Sequence, residues 1–489
     1  MLFTGSTYAI FLALTYVVFW SLRTRRVLRA LFLVIASYTF YVWGTYETVV
    51  RENQDVPFGA YGWSALCLGV IFVGSSLDYG LARLLHRTET PWKRKGLLLL
   101  SVSYYLGVLA IFKYYDFAAD SIASLLSFAG ASYKPKLLHL VLPFGISFFT
   151  FETMSYTIDV YRRELEPAKS YLDYLLFVCF FPHLVAGPIV RPHTMLPQLA
   201  AEPKASDEKR SEGLYLIAKG LVKKVTIGDY LSSFVVSGLF ERPETYSSLE
   251  TLVGVYAYAI KIYADFSGYT DVAIGSAKLF GYDLPQNFDR PYLSSNLQEF
   301  WHRWHISLSS WLRDYLYIPL GGSRGSSIAT YRNLMLTMVL GGLWHGASWN
   351  FVIWGALHGG ALAVTRAYQR RRGAHPSAAP LRILSQVLTF HYVCFAWIFF
   401  NAKTFGLATD ILRNFGTLTF GFGHIPMRAV LVLGCGVALH VIPKKYELML
   451  RDFFGRSPAV FQGAALAAAA YLLHFTRGER SLGFIYGQF

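Results

Sequence analysis

Histidines are concentrated between residues 301 and 359, in sequence that is otherwise apolar enough to sit in a lipid bilayer. They are His302, His305, His345 and His358. Ionisable side chains at membrane depth cost several kcal/mol each, so they usually face an internal cavity and do chemistry or transport there. Imidazole is also the only side chain whose unperturbed pKa lies near neutrality, as a general base requires. This pattern predicts a polar, histidine-bearing chamber inside a membrane protein.

His345 ends the sequence LGGLWH at residues 340–345. Residues three and four positions back share its face on a helix, so Gly341 and Gly342 predict a groove without side chains, open to an acyl chain or another backbone. The alternative is helix–helix packing through small residues, with a hydrogen-bonded histidine, and both interpretations stay open. His358 lies about 220° further around an unbroken helix. It can share a site with His345 only if the helix breaks or other elements converge there.

His302 and His305 are three residues apart, a spacing that lets two histidines on one helix hold a metal ion. Membrane di-iron oxygenases use clustered histidines of this kind. They need more ligands than this chain offers, and the sequence contains no HxxHH motif. We therefore expect no metal at this pair.

Charged residues accompany these histidines, and they have two interpretations. The basic and acidic groups nearby are Arg303, Arg313, Asp314 and Arg324. They can bind an anion such as a phosphorylated donor, or they can form structural ion pairs near a re-entrant end. Asp265 and Asp271 also lie in apolar sequence, and for both the favoured interpretation is structural pairing with one of these arginines.

The composition is that of a membrane protein, because 54% of the residues are hydrophobic, only 15% are charged and the mean hydropathy is +0.36. Soluble domains carry about 25% charged residues. No long polar block divides the chain, so one polytopic membrane domain is predicted over 1–489, with N-terminal spans in 1–135, a core in 136–365 and C-terminal spans in 381–489. The net charge of +15 lies in short loops, which argues against a nucleic-acid partner. The four cysteines show no CxxC spacing and indicate neither a disulfide framework nor a zinc site.

Basic loops predict the orientation of the chain, because they stay in the cytoplasm. Residues 1–22 carry no charge and are followed at once by the basic segment 23–26. A cleavable signal peptide has its positive charge before the apolar run, so we expect a retained first span with the N-terminus outside. The basic loops at 86–95 and 370–372 are then cytoplasmic.

Proline and glycine interrupt two apolar runs, LPFG at 142–145 and FPHLVAGP at 181–188. Backbone freed at membrane depth is tolerated only against protein or a water-filled cavity. Both breaks are therefore predicted to line the histidine chamber. A further run at 334–354 is predicted as one apolar segment.

A set of motifs from about Leu142 to the C-terminus resembles a known family. They are LPFGISFFTFETMSYTIDVYRRE, FFPHLVAGPIVRPHTMLPQL, ADFSGYTDVAIG, QNFDRPYLSSNLQEFWHRWHISLSSWLRDYLYIPLGG, RNLMLTMVLGGLWHGASWNFVIWGALHG and the terminal FIYGQF. The chain resembles the membrane-bound O-acyltransferases, in the bacterial branch that contains the alginate O-acetylation and teichoic-acid D-alanyl transfer proteins. Two positions depart from the pattern, since His302 and Asn401 stand where arginine is expected.

The resemblance implies an all-α polytopic integral membrane protein, built as a ring of tilted transmembrane and re-entrant helices around a central funnel. It implies that His345 is the catalytic histidine and that His305 is a second catalytic histidine of the motif. The residues expected to bind substrate are Trp344, Arg303, Arg313, Asp314, His358, Gly341 and Gly342.

The implied reaction moves an acyl group, most simply acetyl, from a cytoplasmic thioester donor across the membrane to an exported or cell-envelope polysaccharide such as alginate. The expected donor is acetyl-CoA or an acyl-carrier thioester, with no tightly bound cofactor. The expected location is the bacterial inner membrane, where the partners are the lipid bilayer, a periplasmic or surface acetyltransferase and the polysaccharide. Alternatives are D-alanyl transfer to teichoic acid, a proton-coupled polysaccharide or lipid transporter, and a di-iron oxygenase.

Overall fold

The computed structural model of the chain describes residues 3, 5–51, 53–54, 56–185, 187–372 and 378–476. These described residues form helices and connecting loops without a β-strand. The prediction of an all-α membrane protein is confirmed, whereas the ring and its funnel stay a prediction. The terminal FIYGQF motif lies outside the described residues.

The chain divides into two compact units, and the prediction of a single domain stays a prediction. The first unit comprises residues 1–210 and 276–284, and the second comprises 211–275 and 285–489. The helices of the first unit are α1 Ser6–Ser21, α2 Arg26–Arg51, α3 Gly59–Arg87, α4 Pro91–Leu109, α5 Tyr115–Phe128, α6 Ile146–Arg162, α7 Tyr171–Cys179, α8 Phe181–Leu184 and α9 Pro192–Ala200.

The second unit holds most of two long helices and all of the remaining ones. The two long helices are α10 Asp207–Val222 and α12 Ser248–Leu279. The others are α11 Ser237–Glu241, α13 Leu297–Arg303, α14 Ile306–Leu312, α15 Ser327–His345, α16 Trp349–Arg372, α17 Ala379–Asn401, α18 Phe405–Phe415, α19 Met427–Val441, α20 Lys444–Arg456 and α21 Ala459–Thr476.

Four helical segments of the described chain are long and apolar enough to cross a membrane. They are α2, α3, the continuous segment Pro91–Phe128 that contains α4 and α5, and α17; the pair α19 and α20, bent by 92°, is a fifth if it counts as one broken span. Most of the segment Pro91–Phe128 is exposed, including Leu99 and Leu106, as expected of a helix that faces lipid. The predicted first span corresponds to α1, which is apolar but has only 16 residues.

The two interrupted runs of the first unit contact each other. α7 ends at Cys179 and the short α8 follows, so the second run is broken as predicted. Gly145 precedes α6 with a left-handed φ of +72°, and a Cβ there would lie 2.6 Å from the carbonyl oxygen of Leu184. Only glycine permits both that conformation and that approach. Whether these breaks line the histidine chamber stays a prediction.

The apolar run at 334–354 is two helices, with the break after His345 that a site shared with His358 requires. Gly346 leaves α15 with extended backbone, and the hydroxyl of Ser348 accepts the N–H of Asn350 at 3.3 Å at the start of α16. The two helices then pack antiparallel through small residues. A Cβ on Gly342 would overlap the carbonyl oxygen of Phe351, and one on Gly355 would overlap that of Met338. This close packing turns the chain back on itself directly after His345.

Candidate active site

His345 is the last residue of α15 and is only 3% exposed. Aromatic rings surround its imidazole. Trp344 lies 5.0 Å away between ring centroids, Trp354 of α16 lies 5.1 Å away, and Phe400 of α17 also lies 5.1 Å away. The rings packed around His345 come from three elements, the end of α15, the returning α16 and the C-terminal end of α17, and this cluster of rings is called the aromatic chamber below.

His358 joins this chamber because the helix breaks after His345, which is the condition that the sequence required. It is fully buried and lies one turn beyond Trp354 on α16, with 4.7 Å between the ring centroids. The indole N–H of Trp301 donates to Nδ1 of His358 at 3.3 Å. The imidazoles of His345 and His358 thus both pack against the indole ring of Trp354.

His305 is also fully buried, but in an unusual backbone conformation. Its φ is +42°, in the left-handed region, between the end of α13 and the start of α14. The imidazole lies 4.6 Å from Phe266 and 6.1 Å from Trp344. Since Trp344 also contacts His345, one indole ring lies against both histidines that are expected to be catalytic.

Asn287 holds the backbone that follows His305, and sequence reasoning overlooked it. Its carbonyl oxygen accepts the N–H of Ile306 at 3.0 Å. Its side-chain oxygen accepts the N–H and the hydroxyl of Ser307 at 3.1 and 2.9 Å. A left-handed residue costs roughly 1–3 kcal/mol and persists where neighbours over-determine it, which is what these three bonds do. The sequence feature that could have pointed to Asn287 is the QNFDRP motif at 286–291, which contains it.

His302 and His305 do not share a helical face, so the premise of a helical metal pair is wrong. α13 ends at Arg303, and the chain turns before His305. His302 is exposed whereas His305 is buried. In the part of the chain that the structure describes, no group of three or more histidine, cysteine, aspartate or glutamate side chains converges.

The two glycines before His345 have different neighbours. The backbone of α16 fills the space beside Gly342, so the assignment of Gly342 to an acyl groove is corrected to helix packing. Gly341 instead faces Leu312, whose methyl group would lie 3.1 Å from an added Cβ. Substrate binding at Gly341 and at Trp344 stays a prediction.

The charged residues near the histidines form ion pairs. Arg303 pairs with Glu299 one helical turn earlier at 2.7 Å, and Arg313 pairs with Asp314 at 2.7 Å. Burial alone would raise the pKa of Glu299, but hydrogen bonds from Ser295 and the charge of Arg303 lower it below its ordinary value. The Arg313 side chain is 57% exposed, so its ion pair with Asp314 leaves it accessible to anions in solution. Anion binding by Arg303, Arg313 and Asp314 stays a prediction.

Lysines partner the two aspartates of ADFSGYTD, which corrects the expectation of arginine partners. Asp265 lies 2.7 Å from Lys224, which also contacts Asp229 at 2.5 Å. Asp271 lies 2.5 Å from Lys223 and 3.3 Å from Lys219. The expected structural pairing therefore holds, but the cations come from the end of α10 and the π-helical turn that continues it.

A second histidine–carboxylate pair lies in the first unit, and the sequence did not single it out. His183 and Glu152 are both buried, with 3.1 Å between Nδ1 and the carboxylate. The N–H of Val190 donates to the same carboxylate oxygen at 2.9 Å. His183 belongs to the predicted break at 181–188, but its partner is on α6, so only the folded chain reveals the pair.

Comparison with known proteins places this site in a family. Residues 161–409 match the membrane-bound O-acyltransferase family. The chain is 40% identical to the probable alginate O-acetylase of Pseudomonas aeruginosa over 394 residues, which are 80% of this chain and 70% of that protein. It is 37% identical to the peptidoglycan O-acetyltransferase of Helicobacter pylori over 380 residues, 72% of this chain and 70% of that protein. It is 28% identical to the teichoic acid D-alanyltransferase of Bacillus subtilis over 310 residues, 59% and 78% of the two chains.

The fold is that of an all-α membrane protein with histidines buried among aromatic rings, and its relatives are named as O-acetylases and acyltransferases. The chain belongs to the membrane-bound O-acyltransferase family. The family expected from the motifs is thereby confirmed, and the reaction is O-acyl transfer rather than transport or iron-dependent oxidation.

Proposed function

We propose that this enzyme moves an acetyl group from a cytoplasmic thioester across the inner membrane, for O-acetylation of an exported or cell-envelope polysaccharide such as alginate. The observation that carries the proposal is the burial of His345 in an aromatic chamber, within a chain that belongs to an O-acyltransferase family. Relatives at 40% and 37% identity are named for O-acetylation of alginate and peptidoglycan, whereas the named D-alanyltransferase shares 28%. This difference favours acetyl over D-alanyl transfer.

His345 acts as the general base in this proposal. The rings of Trp344, Trp354 and Phe400 exclude water from its imidazole, which protects a thioester from hydrolysis. The imidazole takes the proton of the acceptor hydroxyl and returns it to the departing thiolate. His305 is the second catalytic histidine in this proposal, and its imidazole packs against the same Trp344 ring that contacts His345.

The donor is acetyl-CoA or an acyl-carrier thioester, and no tightly bound cofactor is required. Each donor carries phosphate, which the half-exposed guanidinium of Arg313 is suited to bind. The basic segments at 23–26, 86–95 and 370–372 support an N-terminus outside the cell and a cytoplasmic donor side. A periplasmic or surface acetyltransferase then takes the acetyl group from this first acceptor and passes it to the polysaccharide.

The experiment is a comparison of His345→Ala with His193→Ala, in cells that depend on this chain for acylation. His193 is an exposed histidine of α9 and serves as the matched control. We expect ester groups on the polysaccharide, measured by NMR, to fall about a hundredfold or more in His345→Ala and to stay unchanged in the control. Near-normal esterification by His345→Ala at equal membrane abundance would reject the proposal. Detection of ester-linked alanine in place of acetate would show that the enzyme transfers D-alanyl groups rather than acetyl groups.

A further inference from the structure

Of the buried polar atoms of α16 that have no hydrogen-bond partner within the described residues, two lie on neighbouring rings. They are Nε1 of Trp354 and Nε2 of His358. The exposed fractions of the two residues are 1% and 0%. Residues four apart share a helical face, and these two rings lie 4.7 Å apart. Nearly all buried polar groups in folded proteins are hydrogen-bonded, and two such atoms on neighbouring rings, one of which packs against His345, indicate a site that a ligand completes.

Both atoms are hydrogen-bond donors. An indole nitrogen can only donate. The indole N–H of Trp301 donates to Nδ1 of His358 at 3.3 Å, so Nδ1 is the acceptor and the proton of the neutral imidazole is on Nε2. A ligand at either N–H group must therefore offer an acceptor oxygen.

This donor pair lies beside the proposed base, since the ring of Trp354 meets that of His345 edge to face at 5.1 Å. We propose that the N–H groups of Trp354 and His358 form the oxyanion hole of the enzyme, which binds the carbonyl oxygen of the acyl thioester. The proposal rests on the proposed function and names the chemical group that these residues recognise. Two neutral donors in apolar surroundings stabilise a charge that develops only during the reaction.

The acceptor hydroxyl oxygen bonds to the carbonyl carbon while His345 takes the hydroxyl proton. The π electron pair of the carbonyl moves onto its oxygen, where the N–H groups of Trp354 and His358 donate to the negative charge. The pair then re-forms the carbonyl, the carbon–sulfur bond breaks, and the thiolate takes the proton from His345.

Trp354→Phe tests the first donor, because it keeps an aromatic ring and removes the N–H. The readout is the initial rate at which labelled acetate enters polysaccharide esters in cells, normalised to the amount of enzyme in the membrane. We expect the rate to fall about a hundredfold. Trp63→Phe is the matched control, because it also removes a buried indole N–H without a partner in the described chain, in the first unit and beside Phe112. Its rate should equal that of the wild type.

His358→Gln and His358→Leu test the second donor and also decide the question if Trp354→Phe fails to fold. The glutamine amide still donates a hydrogen bond, whereas leucine of similar size does not. We expect His358→Gln to be at least about tenfold faster than His358→Leu at equal membrane abundance.

Wild-type rates for Trp354→Phe, or equal rates for the two His358 variants, would overturn the oxyanion hole. If His345→Ala is inactive in the same assay, the proposed function survives that result. If His345→Ala is itself active, the proposed function fails, and the inference that rests on it fails too.

Discussion

His302 and His305 are three residues apart in the chain, yet His302 is exposed and His305 is fully buried. The cause is the end of α13 at Arg303, followed by the left-handed φ of +42° at His305. An unbroken helix would have turned both imidazoles toward one side. The two imidazoles therefore lie in separate environments.

We expect His302→Arg to preserve acyl transfer and His305→Ala to reduce it about a hundredfold or more. His302 is exposed and stands where the resemblance to the family leads us to expect arginine, whereas His305 lies against Trp344. Polysaccharide ester content measures both variants, and elemental analysis of the purified protein measures metal. Stoichiometric iron or zinc that disappears together with activity in His302→Arg would contradict this assignment.

Gly342→Ala should destabilise the protein by about 1–3 kcal/mol and lower activity in proportion. The added methyl group would overlap the carbonyl oxygen of Phe351, which belongs to the backbone of α16 and has no rotamer with which to move aside. Thermal unfolding in detergent measures the effect. Gly434→Ala on α19 is the control, because its Cβ would meet nothing within 4 Å. An unchanged melting temperature in Gly342→Ala would show that α15 and α16 pack less closely than described.

Glu250 lies outside the candidate membrane spans, and we expect it to make the stability of the fold depend on pH. Burial alone would raise its pKa, but N–H groups of Ser247, Gly423 and His424 lower it to about 2. A carboxyl group whose folded pKa lies below its unfolded value stabilises the fold above the unfolded pKa, and this stabilisation disappears as the pH falls toward the folded pKa. The window therefore extends from about 4.5 down to about 2.

The test is the difference in melting temperature between the wild type and Glu250→Gln. The glutamine NH₂ group would face N–H donors, so the wild type should be more stable at neutral pH. The difference should shrink as the pH falls below about 4. A difference that stays constant from pH 7 to pH 3 would show that the charge of Glu250 contributes nothing to stability.

Cysteine labelling tests the orientation. Three native cysteines are buried and Cys435 is exposed, so a Cys435→Ser background leaves no accessible thiol among them. We expect Lys93→Cys to react with an impermeant reagent only after permeabilisation, because its loop is basic. Ser132→Cys should react from outside, since Lys93 lies near the start of the apolar segment Pro91–Phe128 and Ser132 follows its end. Labelling of Lys93→Cys in intact cells would reverse the topology.

The sequence by itself determined the class of protein, the family and the histidines to be tested. A chain that folds in lipid must be apolar, so the composition indicates the class of protein. The LWHG motif marks His345 as a candidate catalytic histidine without a structure. Local signals also predicted the interrupted run at 181–188, because proline and glycine act on the backbone within a few residues.

Only the tertiary structure decided which residues meet. Burial of His305 depends on three hydrogen bonds with Asn287, eighteen residues earlier in the chain. His345 and His358 share the ring of Trp354 because α15 ends and α16 packs back through Gly342. Contacts between separate segments depend on the shape and hydrogen bonding of both partners, and a local pattern of residue types describes only one of them.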